Sequence, residues 1–251
     1  ENICYITLAD NHPLVRAHIR AEGRAVVLEK GLNGDMITMY DKSSHIPLLW
    51  THLIPATMEG KAVHNVQNAM FAAALAFSLG KPPDDIRHGL RTFNTTFFQA
   101  PGRMNVFDEH PFKVILDYAH NAAAFKGMCH LVSRLETIGK NICVISMPGD
   151  RRDEDIAEVG NIVSGVFDYF ICKADDNRRK RGYDEIPQML RKTLLENGVS
   201  ADAIELIPDE VESIQRGLSL AEPGDLMIVF GDNVTRCWKQ IINFNQDEEL
   251  P

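Results

Sequence analysis

Apolar residues in the second part of the chain come in short runs separated by helix-length amphipathic segments. The short runs span residues 114–116, 142–147, 169–172, 204–207 and 226–230. The longer segments span residues 122–138, 154–166, 185–197, 210–221 and 234–243. Strands that alternate with helices of this length predict βαβ crossovers and a mainly parallel sheet covered on both faces. We therefore predict one Rossmann-like α/β domain over residues 98–251.

The pattern before that domain is less regular. Apolar runs at 3–8, 24–29 and 35–40 predict strands, and residues 13–21 suit a helix that begins after Asn11. A further alanine-rich helix is predicted to begin near His64, with a buried face formed by Val66, Met70, Phe71, Leu75 and Leu79. The polar loop 94–103 lacks apolar periodicity, so it is the best candidate for a domain boundary.

Composition narrows the class of protein. The chain has 251 residues, of which 45% are hydrophobic, and a formal net charge of −9, which is typical of one large or two modest globular domains. The acidic balance argues against general binding of nucleic acid, and no apolar run is long enough to cross a membrane. We therefore expect a cytoplasmic protein. Five scattered cysteines without a C-x-x-C pair suggest neither a disulfide framework nor a metal site.

Candidate chemistry is expected at the carboxyl ends of the predicted parallel strands, where ligands of such sheets bind. Asp117 directly follows one strand and precedes His120 and Asn121 at the start of a helix. An ionised Asp117 could hold a ribose hydroxyl or a metal, and His120 with the helix amides could meet a phosphate. The alternative is structural, with Asn121 capping the helix and His120 packed against it.

Three more polar segments follow predicted strands. In the loop 148–153, Gly149 permits a tight turn and two arginines offer donors to a carboxylate or phosphate, although a solvated, charge-balanced loop explains it equally well. The loop 173–182 places two acids before a run of basic residues, which suits a zwitterionic amino acid or an ordinary basic surface. Residues 231–233 could form a turn and a helix cap.

The common phosphate-binding motifs are absent from the sequence. The Gly-Lys pairs at 60–61, 80–81 and 139–140 lack the earlier Gly and the following Ser or Thr of a Walker A loop, and no G-x-G-x-x-G is present. The residues alone therefore indicate an α/β protein with a polar cleft.

Four short strings occur in the order found in the Mur ligases and folylpolyglutamate synthetases: His64-Asn65-Val66-Gln67-Asn68, Gly102-Arg103-Met104, Asp117-Tyr118-Ala119-His120-Asn121 and Gly149-Asp150-Arg151-Arg152-Asp153. Within that superfamily the chain resembles the carboxyl-terminal half of the cyanophycin synthetases, on the strings at 10–18, 148–155 and 223–226. The resemblance covers nearly the whole chain.

The resemblance implies a domain organisation. Residues 1–97 correspond to the trailing part of the Mur ligase central ATP-binding domain, without its P-loop, and residues 98–251 to the carboxyl-terminal, glutamate ligase-like domain. The first residue is Glu1 rather than Met, and the expected P-loop lies upstream in the family. We therefore expect the chain to be a fragment of a longer enzyme and to be inactive alone.

The family chemistry implied by the resemblance is ATP-driven formation of an amide through an acyl phosphate, with Mg²⁺ as the metal and its ligands upstream. In the cyanophycin synthetases, arginine is joined to aspartate β-carboxyl groups of a poly-aspartate backbone. The expected partners are thus an amino acid, arginine foremost, and that acidic acceptor, with a homo-oligomer as one option. The alternatives are another Mur-type amino acid ligase and a non-catalytic α/β binding or assembly module.

Site residues follow from the matched strings. The nucleotide-binding positions implied are His64, Asn65, Asn68, Arg103, Asp117, His120 and Asn121. Of these, Arg103, Asp117 and His120 would act in catalysis: Arg103 and Asp117 match groups that reach the nucleotide when the domains close, and His120 matches a residue near its phosphates. The amino-acid-binding positions implied are Asp150, Arg151, Asp153, Asp175, Asp176 and Arg178. The chain has Lys173-Ala174-Asp175 where the family has an Arg-Glu-Asp type of string.

Overall fold

The structure of the protein is a computed structural model that describes residues 3–244. The chain divides into two compact units between Asn94 and Thr95, inside the polar loop that the sequence predicts as a boundary. The assignment of the two units to a central and a carboxyl-terminal ligase domain stays a prediction. Within residues 3–244, no helix combines the length and apolar character needed to cross a membrane.

The first unit is a four-stranded sheet with helices on both faces. Its elements are β1 (Cys4–Thr7), α1 (Pro13–Arg20), β2 (Arg24–Gly31), β3 (Gly34–Asp41), β4 (Ser44–Trp50), two 3₁₀ turns (Thr51–Leu53 and Pro55–Thr57), α2 (Val63–Ser78) and α3 (Pro83–Thr92). The strand order is β1-β2-β3-β4, with β1 parallel to β2 and the other pairs antiparallel. Alternate residues of β2 therefore pack on α1 through Val27 and on α2 through Val26.

Helix α2 buries a different face from the predicted one. Its buried residues are Val66, Ala69, Met70, Ala73 and Ala74, which share one side of a helix. Phe71 and Leu75 are 54% and 65% exposed, and Leu79, just past the helix end, is 81% exposed. The prediction was wrong for these three residues because the large side chains were weighted over the alanines, whose small side chains form the packed face.

The second unit is a three-layered α/β structure. Its elements are β5 (Asn105–Phe107), β6 (Lys113–Asp117), α4 (Ala122–Val132), β7 (Asn141–Ile145), α5 (Asp153–Val163), β8 (Tyr169–Cys172), α6 (Glu185–Glu196), β9 (Ile204–Leu206), α7 (Glu210–Leu220), β10 (Leu226–Phe230) and α8 (Val234–Asn243). The strand order is β5-β6-β10-β7-β8-β9, and all neighbours are parallel except β5 with β6. This arrangement confirms the predicted Rossmann-like α/β class.

The insertion of β10 between β6 and β7 decides where a ligand can bind. Helices α7 and α8 share one apolar core with one face of the sheet, through Ile214 and Ile241 among others. Helix α4 packs on the opposite face, where Phe125 contacts Phe230 with ring centroids 4.4 Å apart. The chain thus leaves β6 and β10, which are neighbours, toward opposite faces. Such a topological switch point opens a crevice at the carboxyl edge of the sheet.

The opposite edge of the sheet is held by one buried carboxylate. Asp225, 4% exposed, lies just before β10. Its Oδ1 accepts the Lys140 N–H at 2.7 Å and its Oδ2 accepts the Glu222 N–H at 2.9 Å. The same side chain fills the space beside Gly139, where a Cβ would lie 2.1 Å from Asp225 Oδ1. The turn before β10 is thereby tied to the start of β7.

We expect Asp225→Ala to lower the free energy of unfolding by about 2 kcal/mol, because the backbone N–H groups of Lys140 and Glu222 lose their acceptor on a buried side chain. Asp225→Asn keeps the shape and one oxygen acceptor, so its loss should be smaller. Urea unfolding followed by circular dichroism measures both values, with the exposed Asp202→Ala as the matched control. Equal stability of Asp225→Ala and the wild type would contradict this assignment.

Candidate functional site

The first group at the carboxyl edge is built around Asp117, the last residue of β6. Its Oδ2 accepts the Met104 N–H at 2.9 Å, and the next residue, Tyr118, donates its N–H to Gly102 O at 2.8 Å. The turn 102–104 is thus fixed against the end of β6. Gly102 and Met104 both have positive φ, at 70° and 52°, so the chain turns sharply and presents Arg103 to solvent.

Buried Asn105 holds this turn from below. Its Oδ1 accepts the Gly102 N–H at 2.7 Å, and its Nδ2 donates to the carbonyls of Thr95 and Ala100 at 2.8 and 2.9 Å. Gly102 also packs closely, since a Cβ there would lie 2.6 Å from Val234 Cγ1. The glycine and the asparagine together fix the turn of the Gly-Arg-Met string beside Asp117.

The electrostatics of Asp117 are dominated by burial. Loss of water raises the pKa of Asp117 to about 6, although the Met104 N–H and the charges of Arg103 and His120 oppose the rise. His120 is half-buried, with its Nδ1 3.1 Å from Tyr118 O. The structure therefore brings together Arg103, Asp117 and His120, as the sequence predicts.

Asn121 serves as the N-cap of α4. Its side-chain oxygen accepts the Ala124 N–H at 3.0 Å, which is the structural alternative considered for this residue. Its implied contact with a nucleotide stays a prediction.

The remaining nucleotide-binding candidates belong to the first unit. His64, Asn65 and Asn68 lie in the first turns of α2. Asn65 Nδ2 donates to Ala56 O at 2.7 Å, and Asn68 Nδ2 donates to Asn65 Oδ1 at 3.1 Å. Asn68 is exposed, so its carboxamide is accessible. Their implied role in binding adenine stays a prediction.

Arg181 joins the loop after β7 to the loop after β8. Its Nε donates to Gly149 O at 2.9 Å, and its Nη2 donates to Arg151 O and to Asp153 Oδ1, both at 2.7 Å. Its Nη1 donates to Glu185 Oε1 at 2.6 Å. A Cβ at Gly149 would lie 2.2 Å from Arg178 O, so the two loops touch at this point.

Several of the predicted amino-acid-binding residues already have partners within the chain. Asp150 Oδ2 accepts from Arg179 Nη1 at 2.7 Å, and Asp153 pairs with Arg181. Arg178 is exposed and lies over the ring of Tyr183, 5.5 Å from its centroid. Asp150 and Asp153 therefore have arginine partners that the sequence did not predict.

A second group at the same edge contains a completely buried ion pair. The side chains of Lys173, which follows β8, and Glu210, which begins α7, are both 0% exposed. Lys173 Nζ lies 3.0 Å from Glu210 Oε1 and 3.6 Å from Asp175 Oδ1. Glu210 also accepts the N–H groups of Asp232 and Asn233 at 2.7 and 3.2 Å.

Arg236 of α8 extends this group toward solvent. Its Nη2 lies 2.5 Å from Glu210 Oε2 and 2.9 Å from Asp176 Oδ1. The Asp176 N–H donates to Asp232 Oδ2 at 3.1 Å. The loops after β8 and β10 are therefore joined through Glu210, Arg236 and Asp232. We call the six residues Lys173, Asp175, Asp176, Glu210, Asp232 and Arg236 the acidic cluster.

Two carboxyl groups of this cluster have pKa values shifted in opposite directions. Burial alone would raise the pKa of Glu210, but the charge of Lys173, the Asp232 N–H and Arg236 outweigh it and hold the pKa at about 2. The pKa of Asp232 is raised, first by burial and then by the charge of Asp175. Four carboxylates share two cations in the cluster, which leaves it with an excess of negative charge.

Sequence reasoning missed Glu210, Asp232 and Arg236 as parts of this group. Residues 231–233 were considered a turn and a cap, and Asn233 does accept the Arg236 N–H at 3.2 Å. The available signal was the position of Asp232 directly after a strand. Glu210 gave no signal, since an acid in the first turn of a helix is common.

The geometry defines a class of protein: a Rossmann-like domain with two polar groups at the carboxyl edge of one parallel sheet. The sequence profile described as "Mur ligase, glutamate ligase domain" matches residues 102–233, which include the group around Asp117 and all of the acidic cluster except Arg236. The chain belongs to the Mur ligase family, which confirms the resemblance that the sequence strings indicate.

Curated relatives cover nearly the whole chain. A cyanophycin synthetase from Nostoc sp. (strain PCC 7120) is 36% identical over 96% of this chain and 26% of its own length. One from Geminocystis herdmanii is 33% identical over 98% of this chain and 28% of its own length. The UDP-N-acetylmuramoyl-L-alanyl-D-glutamate--2,6-diaminopimelate ligase of Aquifex aeolicus is 28% identical over 64% of this chain and 31% of its own length. The chain thus spans about a quarter of the cyanophycin synthetases that it matches.

Solved structures share the fold. The Mycobacterium tuberculosis folylpolyglutamate synthase complexed with ADP and AMPPCP has a TM-score of 0.64 and 15% identity, over 92% of this chain and 52% of that one. A pseudomurein peptide ligase type C from Methanothermus fervidus has a TM-score of 0.58 and 20% identity, over 88% of this chain and 42% of that one.

We expect Asp117→Asn to be more stable than the wild type at a pH of about 7.5, by about 2 kcal/mol. Because folding raises the pKa of this carboxyl to about 6, its ionised form weakens the folded state above that pH. The difference should shrink to ~0.2 kcal/mol near a pH of about 3.5, where the carboxyl is mostly protonated in both states. Urea unfolding at both pH values measures it, with Asp202→Asn as control. A less stable Asp117→Asn at the higher pH would contradict the raised pKa.

Proposed function

We propose that this chain is part of an ATP-dependent amide ligase that adds arginine to aspartate β-carboxyl groups of a poly-aspartate backbone. One observation carries the proposal: a single sheet edge holds Arg103 and His120 beside Asp117, and also the acidic cluster. The first group suits an anion such as a phosphate, and the second suits a cationic amino acid. A ligase of this class brings both together.

The residues around Asp117 fit a nucleotide phosphate. Arg103 is exposed, and its guanidinium can donate to phosphate oxygens as negative charge builds up during transfer. His120 can hold a proton beside the same oxygens. ATP, when bound, supplies the phosphoryl group that turns a carboxylate oxygen into a leaving group. The adenine would be met by Asn68, with His64 and Asn65 beside it.

No residue of this chain is assigned to Mg²⁺. Residues 3–244 contain no group of three or more His, Cys, Asp or Glu side chains arranged to hold a metal ion. In our proposal the ligands of Mg²⁺ come from the part of the enzyme that precedes this chain. The isolated chain would then lack activity.

The acidic cluster supports the proposal that the incoming amino acid, whose amine attacks the acyl phosphate, is cationic. Asp175 is 14% exposed, and its closest cation is Lys173, which lies nearer to Glu210. Asp232 is half-buried with a raised pKa. A guanidinium binds best to paired carboxylates, so Asp175 and Asp232 are suited to an arginine side chain. Asp150, Arg151, Asp153, Asp176 and Arg178 would line the same amino-acid site.

The extent of similarity to the named relatives favours arginine as the added amino acid. Cyanophycin synthetases match 96% to 98% of this chain, whereas the diaminopimelate-adding ligase matches 64% of it. We therefore prefer arginine with a poly-aspartate acceptor over another Mur-type amino acid, and a cytoplasmic enzyme over a non-catalytic binding module.

The function is tested by ATP consumption of the full-length protein that carries this chain, screened against twenty amino acids with and without a poly-aspartate primer. We expect turnover that requires both arginine and primer. Turnover with another amino acid would keep the ligase and discard arginine. No turnover under any condition would favour the binding-module alternative.

Two variants of the full-length enzyme separate the two groups. Asp117→Ala should lower kcat at least about 100-fold, because it releases the turn 102–104 that presents Arg103 to the phosphate side. Asp176→Ala should instead raise KM for the amino acid, since it frees Arg236 beside the amino-acid site. Steady-state kinetics measures both, with Asp202→Ala as control. Near-normal kcat in Asp117→Ala, or unchanged KM in Asp176→Ala, would remove that residue from its site.

A further inference from the structure

Glu210 is saturated by groups of its own chain. Its two oxygens meet two cations, Lys173 and Arg236, and two backbone N–H groups, of Asp232 and Asn233. The side chain is 0% exposed, so it cannot touch a ligand. A buried carboxylate is stable only when its oxygens are satisfied in this way.

The two cations held by Glu210 have other carboxylates within reach. Lys173 Nζ lies 3.6 Å from Asp175 Oδ1, against 3.0 Å from Glu210 Oε1. Arg236 Nη2 contacts Asp176 Oδ1 at 2.9 Å as well as Glu210. If Glu210 were neutral, Asp175 would be the carboxylate left in ion-pair contact with Lys173, with Asp232 acting on it from farther away.

We propose that Glu210 is a positioning residue that sets the charge of the amino-acid site: it holds Lys173 at 3.0 Å, closer than Asp175 at 3.6 Å, so that Asp175 keeps its negative charge for a cationic amino acid, while Arg236 bridges Glu210 and Asp176. The inference rests on the proposed function, because it concerns the same site. It adds a residue that touches no substrate and a physical reason for the site's preference for cations.

Glu210 affects the site through the balance of carboxylates and cations in a buried region of low dielectric constant. With Glu210 ionised, four carboxylates face two cations in the acidic cluster. A buried ammonium without a close counter-ion is unfavourable, so Lys173 in a Glu210→Gln variant should move onto Asp175. The site then loses one carboxylate to the new pair and one charge overall. Affinity for a cationic amino acid falls, while the phosphate side around Asp117 is unchanged.

The test uses the full-length enzyme and steady-state kinetics with arginine. Glu210→Gln should raise KM for arginine on the order of ten-fold, with kcat within about two-fold of wild type. The double variant Lys173→Met/Glu210→Gln restores the balance of charges and should return KM to within about three-fold of wild type.

A neutral isostere and a matched control separate charge from packing. Citrulline has the shape of arginine without its charge, so Glu210→Gln should reduce the ratio of KM for citrulline to KM for arginine. Glu205→Gln is the control: Glu205 lies on β9 and pairs with Arg216 at 2.7 Å, outside the cluster. Its KM for arginine should be that of the wild type. Thermal unfolding of each variant shows that the proteins compared are folded.

Three outcomes would overturn the inference while leaving the ligase intact. They are an unchanged KM in a folded Glu210→Gln variant, an equal rise of KM for arginine and citrulline, and a double variant as impaired as Glu210→Gln. A wild-type enzyme without arginine-dependent turnover would overturn the proposed function, and this inference with it.

Discussion

The buried contact between Lys173 and Glu210 is the interaction on which the candidate site depends. It joins the loop after β8 to the start of α7, and through Glu210 to the loop after β10 and to Arg236. A buried ion pair adds little net stability by itself, but loss of one partner lowers the free energy of unfolding by roughly 3 to 5 kcal/mol. The cluster therefore fixes one arrangement of the loops that carry Asp175, Asp176 and Asp232.

The position of this interaction follows from the sheet. Because β10 lies between β6 and β7, the loops after β6 and β10 separate to opposite faces at the carboxyl edge. One side of that edge holds Asp117, whose pKa burial raises to about 6, and the other holds Glu210, whose pKa cations and N–H groups lower to about 2. Two carboxylates at one edge of the sheet thus have opposite environments, which suits the proposed binding of both an anion and a cation.

Periodicity was sufficient to predict the architecture of the second unit. The strands Tyr169–Cys172 and Leu226–Phe230 and the helix Val234–Asn243 have the predicted bounds, because parallel strands buried on both faces are unbroken apolar runs. The antiparallel strand β5, of three residues, was too short to give a pattern. The buried face of α2 was wrong because alanine carries a weak hydrophobic signal but packs closely.

Short sequence motifs were sufficient to predict which residues surround Asp117, but they did not predict the acidic cluster. Gly102, Arg103 and Asp117 are brought together by a turn that lies within the recognised strings. Glu210 meets Lys173 across many intervening residues, and the pairs of Asp150 with Arg179 and of Asp153 with Arg181 join different loops. Spacing along one sequence carries no information on such pairs, so they required coordinates.

In our proposal, the acidic cluster binds the side chain of the incoming amino acid. A structure of the full-length protein with arginine and a non-hydrolysable ATP analogue tests it most directly. The account predicts the guanidinium within hydrogen-bond distance of Asp175 and Asp232, with the Lys173–Glu210 contact retained. An arginine bound elsewhere, or a Lys173 shifted onto Asp175 in that complex, would contradict it.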